Sequence, residues 1–385
     1  MPQSWSIFSH YLNGLRRPSL GDPKPPTLWP SEATALVADG DEVKVVGKCR
    51  RQVFFRYFLS CHAFSKEYFS PDTDPTAHAE FLKSYSSQSD DYMLFIWAQG
   101  ELYEKYIIEL AKSFGIFCHE QVPIYIKEYA VSGKIDLVVS NPETNKLVIT
   151  EIKSVYGFNA DQVLGKESAR RKGELGEPRD SNLMQIALYH WWSAAHDPAF
   201  EYSRLLYGSR DTGRFAEYLI KTEEVQIDGK SIIEIWYKPF FPNEGEWVKS
   251  PITITSILEC YDYISHSVWT NTLPPADFKM KYSREDIDKL YKKGALSKTD
   301  STQYEKVLQR EAENITRVEE GKKPLAEIRL PEKGDYQCRY CSFSRICFDK
   351  NGDKREIEWT PKTIALLPTS QSTVATNPNG TEDQE

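Results

Sequence analysis

The sequence predicts an α/β protein in which an antiparallel meander sits at the centre of a sheet flanked by helices. Between Val122 and Ser154 the chain reads VPIYIKEYAVSGKIDLVVSNPETNKLVITEIKS. This is three runs rich in β-branched residues, separated by turn-forming ones at Val131-Ser132-Gly133 and Ser140-Asn141-Pro142. On either side of it, residues 92–115 and 181–196 carry apolar side chains at helical spacing. The 385 residues are 40% hydrophobic and 13% aromatic, enough for a substantial core.

Composition narrows the class. No run of 18 apolar residues occurs, so no membrane span is expected. The first residues, MPQSWSIFSHYLNGLRRP, lack the basic segment and apolar core of a signal peptide, and a cytoplasmic, nucleoid-associated location is expected. Seven cysteines, an odd number, argue against a secreted disulfide scaffold. A net charge of −8 counts against a general nucleic-acid coat but leaves room for a local basic groove.

Residues 1–40 are Pro-rich and irregular, an extended lead-in. The next segment, VGKCRRQVFFRYFLSCHAF, sets Lys48, Arg50, Arg51 and Arg56 among Phe54, Phe55, Tyr57 and Phe58. At helical spacing the aromatics are buried and the basic side chains stay outside. Such a face is either simply solvated or a phosphate contact. The 92–115 helix has Ile107, Ile108, Leu110 and Ala111 on its apolar side, with Gly100 and Glu104 stacked on one face. It runs straight into the meander and is a candidate to lie against the sheet. Glu104 by itself reads as a solvated helix charge.

After the meander comes YGFNADQVLGKESARRKGELGEPRDSN, polar and basic around Arg170 and Arg171, expected as a loop or short helix. In the 181–196 helix, Gln185 and Tyr189 share a face. That pair is either structural or reaches a nucleotide phosphate or a metal-bound water. Residues 200–250 alternate as strands, with Ile227-Asp228-Gly229 as a hairpin turn, and 254–269 read as an amphipathic helix. Residues 278–330 are charged, helical in pattern, and read as an insertion. The tail from 361 to 385 is rich in Ser, Thr, Asn and Pro and is expected to be disordered. There are no internal repeats.

Two sets of residues point to chemistry. Glu151 and Lys153, two apart on one strand, project together, and antiparallel pairing brings Asp136 alongside them. One reading is a solvated sheet face with an ion pair. The other is a divalent-metal site. Two carboxylates and a backbone carbonyl such as that of Ile152 suit Mg²⁺, with Lys153 orienting or deprotonating a water that attacks phosphate. The second set is Cys338, Cys341 and Cys347 in YQCRYCSFSRICF. The spacing C-x2-C-x5-C is a strong sign of a metal centre with three ligands in hand. The fourth comes from Cys49, Cys61, Cys118 or Cys260, and Cys49 is the leading candidate. One remote cysteine joined to a group of three is less usual for zinc, which favours two local pairs.

Taken in order, Gly100…Glu104, Asp136, Glu151-x-Lys153 and Gln185-x3-Tyr189 resemble the motifs of the RecB-type branch of the PD-(D/E)xK nuclease superfamily. With Cys49, Cys338, Cys341 and Cys347 the chain is similar to the iron–sulfur members: exonuclease V, the AddB-type repair nuclease and a CRISPR-adaptation nuclease. The resemblance spans Cys49 to Cys347 and leaves out 278–330.

It implies a restriction-endonuclease-like core with a mixed central sheet over 41–277. It also implies an iron–sulfur subdomain built from both chain ends, its C-terminal part at 331–360. By resemblance, Glu104, Asp136, Glu151 and the Ile152 carbonyl hold Mg²⁺ or Mn²⁺, and Lys153 positions the attacking water. Gln185 and Tyr189 lie near the DNA strand, and the four cysteines hold a [4Fe–4S] cluster. Many relatives carry a His ligand in G-x-x-H-E. That position here is Tyr103, and Glu104 is the expected substitute.

The implied activity is metal-dependent hydrolysis of DNA, exonucleolytic on single strands, in repair, recombination or processing beside a helicase or recombination partner. Lys48, Arg50, Arg51, Arg56, Arg170 and Arg171 are the expected DNA contacts. Two other readings stay open. One is a nuclease-fold DNA-binding or assembly module without catalysis, favoured by Tyr103 and the acidic net charge. The other is a zinc-stapled endonuclease.

Overall fold

A computed structural model describes residues 26–40, 42–64, 91–166, 176–341, 343–348 and 352–354. Arg170, Arg171 and the tail beyond 360 lie outside the described residues. Strands β1 (Thr34–Asp39) and β2 (Glu42–Gly47) form an antiparallel ribbon, so the end of the 1–40 stretch expected to be irregular is a paired strand. Helix α1 (Arg50–Phe64) and helix α2 (Asp91–Ser113) follow. The meander is β3 (Phe117–Ile126), β4 (Val131–Ser140) and β5 (Leu147–Val155).

The first turn falls earlier than the sequence suggests. Residues Lys127–Tyr129 form a short 3-10 turn, closed by Ala130 at φ 50°, and Gly133 is inside β4. Gly133 is there for space. A Cβ on it would stand 2.6 Å from the Tyr189 hydroxyl. The second turn is as read: the Asn141 carboxamide oxygen accepts the Glu143 N–H at 3.0 Å, a local Asx turn.

After β5 the chain crosses over through α3 (Phe158–Leu164) and α4 (Asp180–His196) before β6 (Phe200–Ser209). That crossover makes β6 parallel to β5. Strands β7 (Phe215–Ile227), β8 (Lys230–Phe241) and β9 (Val248–Thr253) complete a seven-stranded mixed sheet in sequence order. The β7–β8 hairpin turns on Asp228 and Gly229, both at positive φ, as a two-residue hairpin of this hand requires. Helix α5 (Ile254–Trp269) opens on Thr253, whose hydroxyl accepts the Ser256 N–H at 3.0 Å.

Both faces of the sheet centre are covered. On one, Ile107, Ile108 and Ala111 of α2 pack on Leu137, Val139, Val148, Ile152 and Leu206. On the other, α4, α1 and α5 join Ile149, Val155, Leu205 and Tyr207 in the main core, with Phe54, Phe55 and Tyr189 fully enclosed. Each such aliphatic contributes about 1.5–3 kcal/mol by leaving water. The 278–330 segment contains α6 (Arg284–Lys292) and α7 (Lys298–Glu319), which bury Ile287, Tyr304 and Val307 in a small core of their own. Two short helices, α8 (Tyr336–Arg339) and α9 (Ser344–Cys347), follow. No helix of the described residues is long and apolar enough to cross a membrane.

One buried group makes the fold acid-sensitive. His190 of α4 is 3% exposed, and its Nδ1 lies 3.0 Å from the Ser203 hydroxyl of β6. Burial pushes its pKa down to about 4. In the unfolded chain an imidazole titrates near 6.5, so between those values the unfolded state binds the extra proton. Stability from this site is therefore complete above pH 6.5 and is lost as pH falls toward 4, by about 3 kcal/mol. Urea unfolding at stepped pH is expected to show a smaller acid loss in His190→Gln than in the unsubstituted protein.

Candidate active site

The site forms where β4 and β5 part. Their ladder runs from Ser140–Leu147 to Leu137–Thr150 and stops there. At the next position a side chain replaces the main chain: Asp136 Oδ2 accepts the Ile152 N–H at 2.9 Å. The N–H and C=O of one strand residue point to the same edge, so the Ile152 carbonyl also faces the fork. Beyond the fork β5 pairs only with β6. Glu151 is 1% exposed, and its Oε1 accepts from Lys153 Nζ at 2.5 Å. Its other oxygen, Oε2, is buried without a hydrogen-bond partner.

The electrostatics follow from this crowding. Burial pushes the Glu151 carboxyl up to about 8, although the Lys153 ammonium pulls the other way. Burial also raises Asp136 above the usual carboxylate range, again against Lys153. For Lys153, burial works to discharge the amine, but Glu151 and Asp136 outweigh it and hold it charged. Glu104 is raised too, first by burial and then by the Asp136 charge. Three carboxyl groups thus share one ammonium, each pushed toward its neutral form by burial, and Glu151 carries an orphaned buried oxygen. That donor set fits a divalent cation, which relieves both the charge and the unpaired oxygen. As they stand, no three His, Cys, Asp or Glu side chains among the described residues are arranged as a ligand group. The fork offers two carboxylates and a carbonyl, with Glu104 near Asp136.

Helix α2 runs beside β5 with Gly100 over Ser154, where a Cβ would make ordinary contact with the hydroxyl at 3.6 Å. One turn on, Glu104 Oε1 accepts from Gln121 Nε2 at 2.6 Å. Gln121 lies between the Glu120–Leu137 and Val122–Ile135 pairs, abreast of Asp136, and holds φ 51°. That backbone is uncommon for a residue with a side chain. Sequence reasoning missed Gln121, since nothing local marks it. Tyr103 turns away from the fork. Its hydroxyl fills the gap left by Gly208, where a Cβ would stand 1.6 Å from it, and its ring stacks near Phe215.

On the opposite face, Gln185 Nε2 donates to the Tyr189 hydroxyl at 3.3 Å, and both side chains are buried. Burial and then the Glu151 charge push the Tyr189 phenol upward. The Asp136 charge acts on the same phenol.

The expected basic face of α1 is differently used. Arg50 holds Asp277 through Nε at 3.0 Å and Nη2 at 2.6 Å. Arg51 is 6% exposed and donates to the Pro274 carbonyl at 2.7 Å. Arg56 pairs with Glu32 and lies 4.0 Å over the Trp29 ring. These three guanidiniums are therefore committed within the fold, because each meets an acceptor from a distant segment, and they do not form the solvated or phosphate-facing row expected from helical spacing. Lys48 stays exposed.

Cys49, Cys338, Cys341 and Cys347 line one pocket, walled by Phe55, Phe278 and Phe343. Burial raises the Cys338 thiol to about 12, with Cys49 adding to it, and the Cys341 thiol to about 11. Burial also raises the Cys347 thiol, against the opposing pull of Arg51 and Lys354. Four sulfurs in a shielded pocket suit a soft metal centre in their chemistry, although their side chains as they stand do not form a ligand group. Cys61 and Cys260 are helix residues that do not line this pocket, and Cys118 bonds weakly to the Ile116 carbonyl at 3.9 Å.

Compared with known families, residues 62–348 match the model of the PD-(D/E)XK nuclease superfamily. No curated protein and no solved structure matches the chain.

Proposed function

Since the chain belongs to the PD-(D/E)xK nuclease superfamily, we propose that it hydrolyses DNA phosphodiester bonds with Mg²⁺ or Mn²⁺, acting on single strands from an end. The observation that carries this reading is the β4–β5 fork, with the buried, partnerless Glu151 Oε2 beside Asp136 and Lys153. Asp136, Glu151 and the Ile152 carbonyl would hold the ion, which supplies Lewis-acid stabilisation and a nucleophilic water at neutral pH. Asp136 is fixed by the Ile152 N–H, so its carboxylate is presented without rotamer freedom. Lys153 remains an ammonium and orients the water and the scissile phosphate by donating hydrogen bonds. Gln185 and Tyr189 form a buried polar pair whose phenol feels the Glu151 charge, and they would lie near the DNA strand.

Glu104 has the role of an outer acid near Asp136. Glu104→Gln is expected to raise the Mg²⁺ concentration for half-maximal cleavage about tenfold, the low end for groups that orient a metal site. A titration of cleavage against Mg²⁺ checks it; an unchanged curve makes Glu104 a surface charge.

The same reading assigns the chain to the RecB-type branch, working in repair, recombination or processing with a helicase or recombination partner, and gives the four-cysteine pocket a [4Fe–4S] cluster. Convergence of Cys49 with the C-terminal three supports this. Hydrolysis moves no electrons, so the cluster's part is structural. The test is cleavage of end-labelled linear and circular single-stranded DNA with Mg²⁺ or Mn²⁺. Loss of linear label with intact circles supports an exonuclease. Nicked circles point to an endonuclease, and binding without cleavage of either points to an assembly module.

A further inference from the structure

The β1–β2 ribbon carries an unpaired strand edge. β2 pairs with β1 alone, in an antiparallel ladder without a bulge. Leu36 of β1 stands opposite Val45, and Ala38 stands opposite Val43. The Leu36 N–H donates to the Ser256 hydroxyl of α5 at 2.8 Å, and that hydroxyl donates to the Leu36 carbonyl at 2.9 Å. The main chain of Leu36 therefore faces away from β2. Directly opposite residues of an antiparallel pair either exchange both hydrogen bonds or both turn away. So the N–H and C=O of Val45 face outward, and those of Val43, two residues back, do the same. Among the described residues nothing bonds to them.

The edge is also apolar and held in place. Val43 is 68% exposed and Leu36 38%, and with Val45 they share the outer face of the ribbon. On the inner face Val46 packs against the main core. Ser256 ties β1 to α5, and Lys289 of α6 bonds Glu42 of β2 at 3.1 Å. Exposed edges are ordinarily blunted by proline, a bulge, charge or a cover. Of these β2, EVKVVG, has only charge: Glu42 at its start and Lys44 between the two valines.

Charge narrows what fits this edge. Asp39 and Glu42 are paired with Lys293 and Lys289. Lys44 and Lys48 are exposed and make no ion pair among the described residues. Asp180 of α4 is close enough to feel the Lys44 charge but does not bond to it. A second copy of β2 fits poorly, because setting valines against valines brings two Lys44 ammonium groups face to face.

We propose that the outer edge of β2 docks an extended segment of a partner protein as an added antiparallel strand. The segment carries β-branched residues opposite Val43 and Val45 and an acidic residue between them, opposite Lys44. The main chain of the two valines supplies affinity, and Lys44 with the apolar outer face supplies selection. This docking is independent of the hydrolytic chemistry.

The test uses the whole protein and a fluorescein-labelled, end-blocked probe, Thr-Val-Glu-Val-Thr, read by anisotropy. The probe valines exchange main-chain hydrogen bonds with Val43 and Val45, whereas the probe glutamate N–H faces away. N-methylation of both probe valines is expected to weaken binding about tenfold or more, and N-methylation of the glutamate to leave it unchanged. Val43→Pro removes an outward N–H without touching the β1 ladder and should weaken the unmodified probe about as much. Lys44→Glu should reverse the preference, so that Thr-Val-Lys-Val-Thr binds better than the glutamate probe. No saturable binding below about 1 mM would overturn the proposal. So would equal losses from the two N-methylations, or an unchanged glutamate preference in Lys44→Glu. A protein that sediments as a dimer, and as a monomer in Val43→Pro, would overturn it in favour of a second copy.

Discussion

Asp136→Ala and Glu151→Ala are each expected to reduce DNA cleavage by about a thousandfold or more, with DNA affinity nearly unchanged. In the proposed mechanism the carboxylates would hold an ion whose Lewis acidity is worth several kcal/mol in the transition state, and about 4 kcal/mol is a thousandfold at 1.36 kcal/mol per decade. Affinity depends mainly on cations and stacking, which these changes leave alone. Asp136→Asn separates charge from scaffolding. Its amide oxygen still accepts the Ile152 N–H that closes the fork at 2.9 Å, so the variant should fold like the unsubstituted protein and be as inactive as the alanine. Single-turnover cleavage of an end-labelled strand, beside binding in EDTA, gives both numbers. Retained cleavage in a pure, folded variant would sink the assignment.

The second large effect concerns the cysteine pocket. Protein purified without oxygen is expected to be brown, with about four irons and four sulfides per chain. Cys49→Ala or Cys347→Ala should lose that colour and melt at least about 10 °C lower. Cys49 and Cys338 are about 290 residues apart. By analogy with a cross-link, tying them restricts the unfolded chain by an idealised 5–6 kcal/mol, or about that order, comparable with the whole stability of many domains. Cys61→Ala and Cys118→Ala should keep the colour. Metal analysis, visible absorption and thermal melts decide the outcome. One zinc in a colourless chain would replace the cluster and keep the staple. A brown, stable Cys49→Ala protein would remove Cys49 as a ligand.

Much of the meander was legible in the sequence, because its signals are local. β-branched runs and the turn at Asn141 depend on a few neighbouring residues. Alternation by two placed Glu151 and Lys153 on one face, and they bond at 2.5 Å. The first turn was misplaced for an equally physical reason. Gly133 carries the composition of a turn, yet it is a strand residue whose missing Cβ admits the Tyr189 hydroxyl from a helix far along the chain. Tyr103 stands where the resemblance led us to expect a His ligand, and only packing shows it filling the space over Gly208.

By itself, then, the sequence determined the order of elements from the meander onward, the pairing of acidic and basic groups on β5, and the presence of a cysteine motif near the C-terminal end, but not the β1–β2 ribbon. All of these follow from chain geometry with periods of 2 and 3.6 and from short spacings. The tertiary structure decided which charges are free. Helical spacing set Arg50, Arg51 and Arg56 outward, but Arg50 meets Asp277, 227 residues on, and Arg51 meets the Pro274 carbonyl. It also decided that Gln121 reaches Glu104, that β4 and β5 part at Asp136, and that Cys49 joins the other three. The partner of a long polar side chain is chosen by whatever the folded chain brings within about 3 Å of it, and no local period encodes that meeting.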